Sequence, residues 1–150
     1  MIGRFECLWQ GLVAGFLLVL LAAPFALLAD EFRPALLELN ERDGGWVDLT
    51  WKVPMRGDQV LALTPVLPQF LEQMGPGSAR QVPGAWLETR SYRAGRQTLN
   101  GATLGIEGLG SVPADVLVRV KLRDGTEHSA ILRSGTNSFT IPEQIGRAHV

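Results

Sequence analysis

Side chains able to carry chemistry are few in this chain. It has two histidines and one cysteine in 150 residues. His128 alternates with Ala130 and Leu132 on one side of an extended run, the setting of a packed or rim histidine. A metal site would want a second histidine or cysteine at ligand spacing, and neither is there. Asp30 and Glu31 are the remaining metal candidates. If the chain is cut after Ala29, these two carboxylates flank a new α-amino group and could offer oxygens to a divalent cation. Adjacent acids at a terminus are more often simply solvated.

Other motifs resolve into structure rather than catalysis. Gly101, Gly105, Gly108 and Gly110 do not make a phosphate loop, because the spacing is wrong for GxGxxG and no helix follows to lend its N-terminus. They read as bends at strand ends. No GxSxG elbow occurs, and no Ser/His/Asp set has a supporting motif. Arg119, Lys121 and Arg123 line one side of a strand, read most simply as a solvated face that would also discourage edge pairing. The chain is expected not to be an enzyme and to hold no cofactor of its own in this segment.

These residues are carried by two segments of different character. Gly11 to Ala29, GLVAGFLLVLLAAPFALLA, contains no charge. Leu12 to Ala23 has the length of a signal-peptide core, about 7–15 residues. Pro24 would break a helix there. The whole run approaches the roughly 20 apolar residues of a membrane span, so an uncleaved anchor is the competing reading. Pro24 and the polar Asp30-Glu31-Phe32-Arg33-Pro34 favour cleavage after Ala29. Residues 1–29 are therefore expected to be a signal peptide forming an N-terminal signal helix. Cys7 would leave with it, so the remainder has no thiol for a disulfide or metal site and must be held by packing. An exported chain of this kind leans towards the periplasmic side of the bacterial inner membrane. The net charge of −1 argues against nucleic acid, which wants a basic stripe, and against a polybasic membrane anchor.

Residues 30–143 read as one β domain. Leu37 and Leu39 alternate with Glu38 and Asn40, Asp43-Gly44-Gly45 is a turn, and Val47, Leu49, Trp51 and Val53 share one side of the clearest strand. The two runs form a hairpin. Val60 to Leu67 is a third apolar run whose far end is demoted to an edge by Pro65 and Pro68. Gln69 to Met74 suits a single helical turn, and Gly75 to Ser78 a surface loop. Trp86 to Arg93 is a strand of ambiguous facing, and Leu99 to Ile106 a short one with Leu104 and Ile106 inward. Val116, Val118, Val120 and Leu122 alternate with Leu117, Arg119, Lys121 and Arg123. Asp124-Gly125 then suits a two-residue turn with positive φ at both positions. Glu127 to Arg133 returns, and Ser138 to Ile141 is a last strand. About seven short strands without a long amphipathic helix describe an all-β fold, an antiparallel immunoglobulin-like β-sandwich, with a small barrel as the alternative.

Several stretches together resemble the front part of the HupE/UreJ family of membrane proteins. They are Ala29-Asp30-Glu31-Phe32-Arg33-Pro34-Ala35 with Leu36-Leu37-Glu38-Leu39, and Leu49-Thr50-Trp51-Lys52-Val53-Pro54. Gly105-Ile106-Glu107-Gly108-Leu109, Asp115-Val116-Leu117-Val118-Arg119-Val120 and the Asp124-Gly125 turn complete the set. The resemblance implies a signal peptide, an extracytoplasmic β domain and then a multi-helix membrane domain, in a hydrogenase or urease accessory protein linked to transport of nickel or a related metal. It implies the membrane and the chain's own missing transmembrane domain as partners. The family usually carries histidine where Asp30 stands, so a carboxylate replaces that side chain here. A free-standing periplasmic protein-binding or adhesion module is the alternative.

Residues 144–150 are expected to be foreign. Ile145-Gly146-Arg147-Ala148-His149-Val150 can be back-translated as ATC GGA AGA GCA CAC GTC, which matches a common sequencing adapter whose next codon in this frame is TGA. Genuine protein is expected to end near Glu143, and His149 carries no functional weight.

Overall fold

A computed structural model describes residues 33–143. Residues 1–32, which include the expected signal segment and Asp30 and Glu31, and residues 144–150 lie outside the described residues. The described chain is all-β. In order it forms β1 (Ala35–Arg42), β2 (Trp46–Arg56), β3 (Gln59–Val60), β4 (Thr64–Val66), β5 (Glu72–Gln73) and β6 (Ser78–Val82). β7 (Ala85–Arg93), β8 (Thr103–Glu107), β9 (Val116–Lys121), β10 (Glu127–Leu132) and β11 (Ser138–Thr140) complete the order. Among the described residues no helix is long and apolar enough to cross a membrane.

The strands make two sheets. The larger runs β10-β9-β1-β2-β7-β5, with β3 also on β2 and β6 also on β7; the smaller runs β11-β8-β4. Period-two patterning builds the first. Ala35, Leu37 and Leu39 on β1, Val47, Leu49, Trp51 and Val53 on β2, and Val116, Val118 and Val120 on β9 are all at most 3% exposed. One face of three neighbouring strands is thus a continuous apolar floor. Leu104 and Ile106 of β8 and Ile141 after β11 join the same apolar cluster, so both sheets share one core.

The structure departs from expectation in four places. The large sheet is mixed rather than antiparallel throughout, because β1 pairs in parallel with β9, Ala35 opposite Val116 through Asn40 opposite Lys121. Eleven strands are present rather than about seven. The additions are short: β3 and β5 have two residues each, and β6 is exposed along most of both faces, so none of them shows an apolar alternation. Gln69 to Met74 is not helical. β5 forms there instead, because the edge of β7 supplies partners for its backbone, with Met74 N–H donating to the Ser91 carbonyl at 2.8 Å. Finally, the β9–β10 turn closes on the pair Leu122 and Thr126, with three residues between them rather than two. Gly125 N–H donates to the Leu122 carbonyl at 2.9 Å and Leu122 N–H to the Thr126 carbonyl at 2.8 Å. Only Gly125 has positive φ (89°), as a type I turn closed by a glycine bulge requires.

The glycine set is partly at strand ends. Gly101 and Gly108 occupy turns on either side of β8, but Gly105 lies inside the strand. Gly108 is there for two reasons: its φ is +92°, and a Cβ would run into the backbone carbonyl of Ala62. Pro65 sits in β4, an edge strand of the small sheet.

Candidate binding face

The large sheet turns its other side to solvent, and its register lays the outward residues in rows across the strands. One row runs Glu127, Lys121, Asn40, Asp48, Ser91 from β10 to β7. The next runs Ser129, Arg119, Glu38, Thr50, Thr89, Ser78 from β10 to β6. Cations and anions alternate along them. Lys121 Nζ lies 3.7 Å from Glu127 Oε1. Arg42 Nε is 2.6 Å from Asp48 Oδ2, and the Ser91 hydroxyl donates to Asp48 Oδ1 at 3.1 Å. Arg93 stacks its guanidinium 4.7 Å from the Trp46 ring centroid at the end of the same face.

Two open depressions lie on this carpet. One, of about 350 Å³, is lined by Glu38, Asn40, Arg119, Lys121, Glu127 and Ser129 among others. The other, of about 320 Å³, is lined by Thr50, Ser78, Thr89, Ser91 and Asp48 with Met74 beside them. The first offers both charge signs, and the second mixes hydroxyls with the Met74 side chain. In the second, the Ser91 hydroxyl meets a carboxylate, Asp48, that Arg42 also holds. His128 pairs with Val120 across the strands and shares that residue's inward side, while Ser129 faces out.

His128 is half-buried, and its Nε2 is fully buried without a hydrogen-bond partner. Among the described residues no group of three His, Cys, Asp or Glu side chains gathers as a cation site. The basic trio splits up. Arg119 and Lys121 stand on the outer face opposite Glu38, Ser129, Asn40 and Glu127, whereas Arg123 belongs to the turn. The idea that these charges guard an edge fails on topology: β9 is interior, flanked by β1 and β10, and the edge is β10.

The inward side of β7 explains its ambiguous sequence. Trp86 Nε1–H donates to Glu88 Oε1 at 3.1 Å and Arg90 Nη2–H to Glu88 Oε2 at 2.6 Å, all half-buried. A hydrogen bond to Tyr92, with Glu88 adding its charge, raises the Arg90 pKa above its ordinary value. A self-satisfied polar ladder can occupy a core-side position where an apolar stripe would otherwise be needed.

One buried group has no signal in the sequence. Glu41 is 5% exposed and faces the core. Its Oε1 accepts from the Leu99 N–H at 3.2 Å and its Oε2 from the Arg123 N–H at 3.2 Å. One carboxylate therefore ties β1 to the loop before β8 and to the β9–β10 turn. Glu41 continues the inward row of Ala35, Leu37 and Leu39, and nothing in that spacing reveals its partners.

The fold and face define an all-β protein of two sheets with a polar, charge-balanced outer surface. No family model, curated protein or solved structure matches the chain.

Proposed function

We propose that this chain is the extracytoplasmic domain of a HupE/UreJ-type membrane protein, separated from the transmembrane helices that would come after it. The reading gives it no catalytic role. It would stand on the periplasmic side of the bacterial inner membrane, with its own membrane domain as partner, and gather or gate nickel or a related divalent metal there. The supporting observation is where the resembling stretches fall. Leu36–Leu39, Leu49–Pro54 and Asp115–Val120 occupy three adjacent strands, β2-β1-β9. Gly105–Leu109 supplies the end of β8 and the Gly108 turn against Ala62. The stretches are thus the framework of one core rather than scattered surface similarity. Two sheets sharing one apolar cluster support the finer description as an immunoglobulin-like sandwich.

The test is the genomic DNA beyond the codon for Glu143. Coding sequence for apolar spans of roughly 20 residues is the expected result. A native stop with no such spans would overturn the assignment and favour a free-standing protein-binding module, a reading helped by the open edge of β10. The metal role has its own test, titration of nickel into the protein by calorimetry; heat no greater than that of buffer removes it, together with the ligand role of Asp30 and Glu31.

A further inference from the structure

We propose that the β10 edge is a homodimerisation strand, pairing antiparallel with β10 of a second copy about a twofold axis at Ser129. The alternation of the ladder shows which groups are spare. Leu122 N–H bonds the Thr126 carbonyl, so counting in steps of two along the β9–β10 register directs the backbone of His128, Ala130 and Leu132 towards β9. The N–H and C=O groups of Glu127, Ser129 and Ile131 then point away from the sheet. None of them has a backbone partner among the described residues.

This edge lacks the protections found at the others. β4 carries Pro65, β11 has three residues, β5 has two, and β6 bears Arg80 and Gln81. β10 has six residues, no proline and no inward charge, and it exposes Ile131 at 55%. Strand edges of this kind are templates for another strand unless blunted. The neighbouring chain narrows the choice of register. Arg133 bonds Thr136 in both directions, which closes the edge beyond Ile131 and leaves Glu127 to Ile131 as the pairing window.

Centring the axis on Ser129 uses all of that window. Ser129 then faces Ser129 of the second copy, and each Glu127 faces the other copy's Ile131. Inward and outward faces match across the seam because paired positions differ by an even number. Arg133 of one copy falls on the diagonal from Glu127 of the other, within reach of a long side chain. The apolar row Leu36–Leu117–Ile131 then ends against the stem of that Glu127 instead of in water. The pairing is independent of the sequence beyond residue 143.

The test uses the full chain with Cys7→Ser, so that an introduced thiol is the only one. Ser129→Cys should form a disulfide-linked dimer on oxidation, since facing residues lie about 5.5 Å apart at Cα, within disulfide range. Glu127→Cys should crosslink far less, because its symmetry mate lies four positions along the seam. In the Ser129→Cys background, Ile131→Glu sets like charges opposite Glu127 and should cut the crosslinked fraction at least about threefold, while Ile131→Lys should not. Equal crosslinking of Ser129→Cys and Glu127→Cys, or equal effects of the two Ile131 changes, overturns the proposal.

Discussion

Removing the Glu41 carboxylate should destabilise the domain more than any other single polar change. Glu41→Ala strips two backbone N–H groups of their acceptor. The Leu99 amide is buried and the Arg123 amide half-buried. A buried donor left without a partner costs about 1–3 kcal/mol, and the half-buried one less because water can reach it, giving roughly 2–4 kcal/mol together. Glu41→Gln keeps one carbonyl acceptor and turns an amide donor towards the other N–H, so about half that loss is expected. For a domain of this size, Tm should fall by roughly 4 °C per kcal/mol. Chemical denaturation gives the free energies, and amide exchange locates them: the Leu99 and Arg123 amides should lose protection before those of β1. If Glu41→Gln matches the parent in denaturation midpoint and both amides exchange at the original rate, the carboxylate does not tie these segments together.

Other perturbations probe separate parts of the structure. Gly108→Ala should cost more than about 1 kcal/mol, because φ is +92° and the new methyl meets the Ala62 carbonyl. Gly110→Ala, in open space, should stay within about 0.5 kcal/mol by the same denaturation assay. Leu37→Ala empties the middle of the apolar floor, where Leu37 is 0% exposed between Trp51 and Val118, and should cost about 2–5 kcal/mol. Asp124 accepts the Thr126 N–H at 2.9 Å, and that bond, with the Thr126 hydroxyl, lowers its pKa below the ordinary 3.8. A depressed carboxylate contributes stability that is present above the unfolded pKa and lost as pH falls through the folded one. Asp124→Asn should therefore flatten the stability curve slightly below about pH 4, and an NMR titration of the Asp124 carboxyl with its midpoint at or above 3.8 would contradict this.

Legibility tracks exposure. β1, β2, β9 and β10 can be read from the residues because each buries one face and wets the other, which writes period two into the chain. Ser78 to Val82 is wet on nearly every residue, so no alternation marks it, and its strand exists only because β7 offers backbone partners. β7 itself reads ambiguously because Trp86, Glu88 and Arg90 satisfy one another on the core side. The turn after Leu122 is legible in place but not in type: Asp-Gly fits both loop lengths, and the Asp124 bond to Thr126 decides for the longer. The parallel partner of β1 is invisible locally, since patterning identifies hairpins but not which distant strand closes the open side. Glu41 is hidden for the same reason, its donors lying 58 and 82 positions away in the chain.

That parallel seam sets a delay into the making of the protein. β1 and β2 can zip as soon as both exist, yet the second side of β1 belongs to a strand about 80 positions later. About 60 residues separate the end of β2 from β9, so at roughly 5–20 residues per second of synthesis the finished hairpin waits on the order of 3–12 seconds with Leu37 and Leu39 covered on one flank only. High contact order of this sort slows folding and prolongs the danger of wrong partners. A holding chaperone would find its substrate in that interval, and shortening the wait by circular permutation that places β9 ahead of β1 should raise the yield of folded chains.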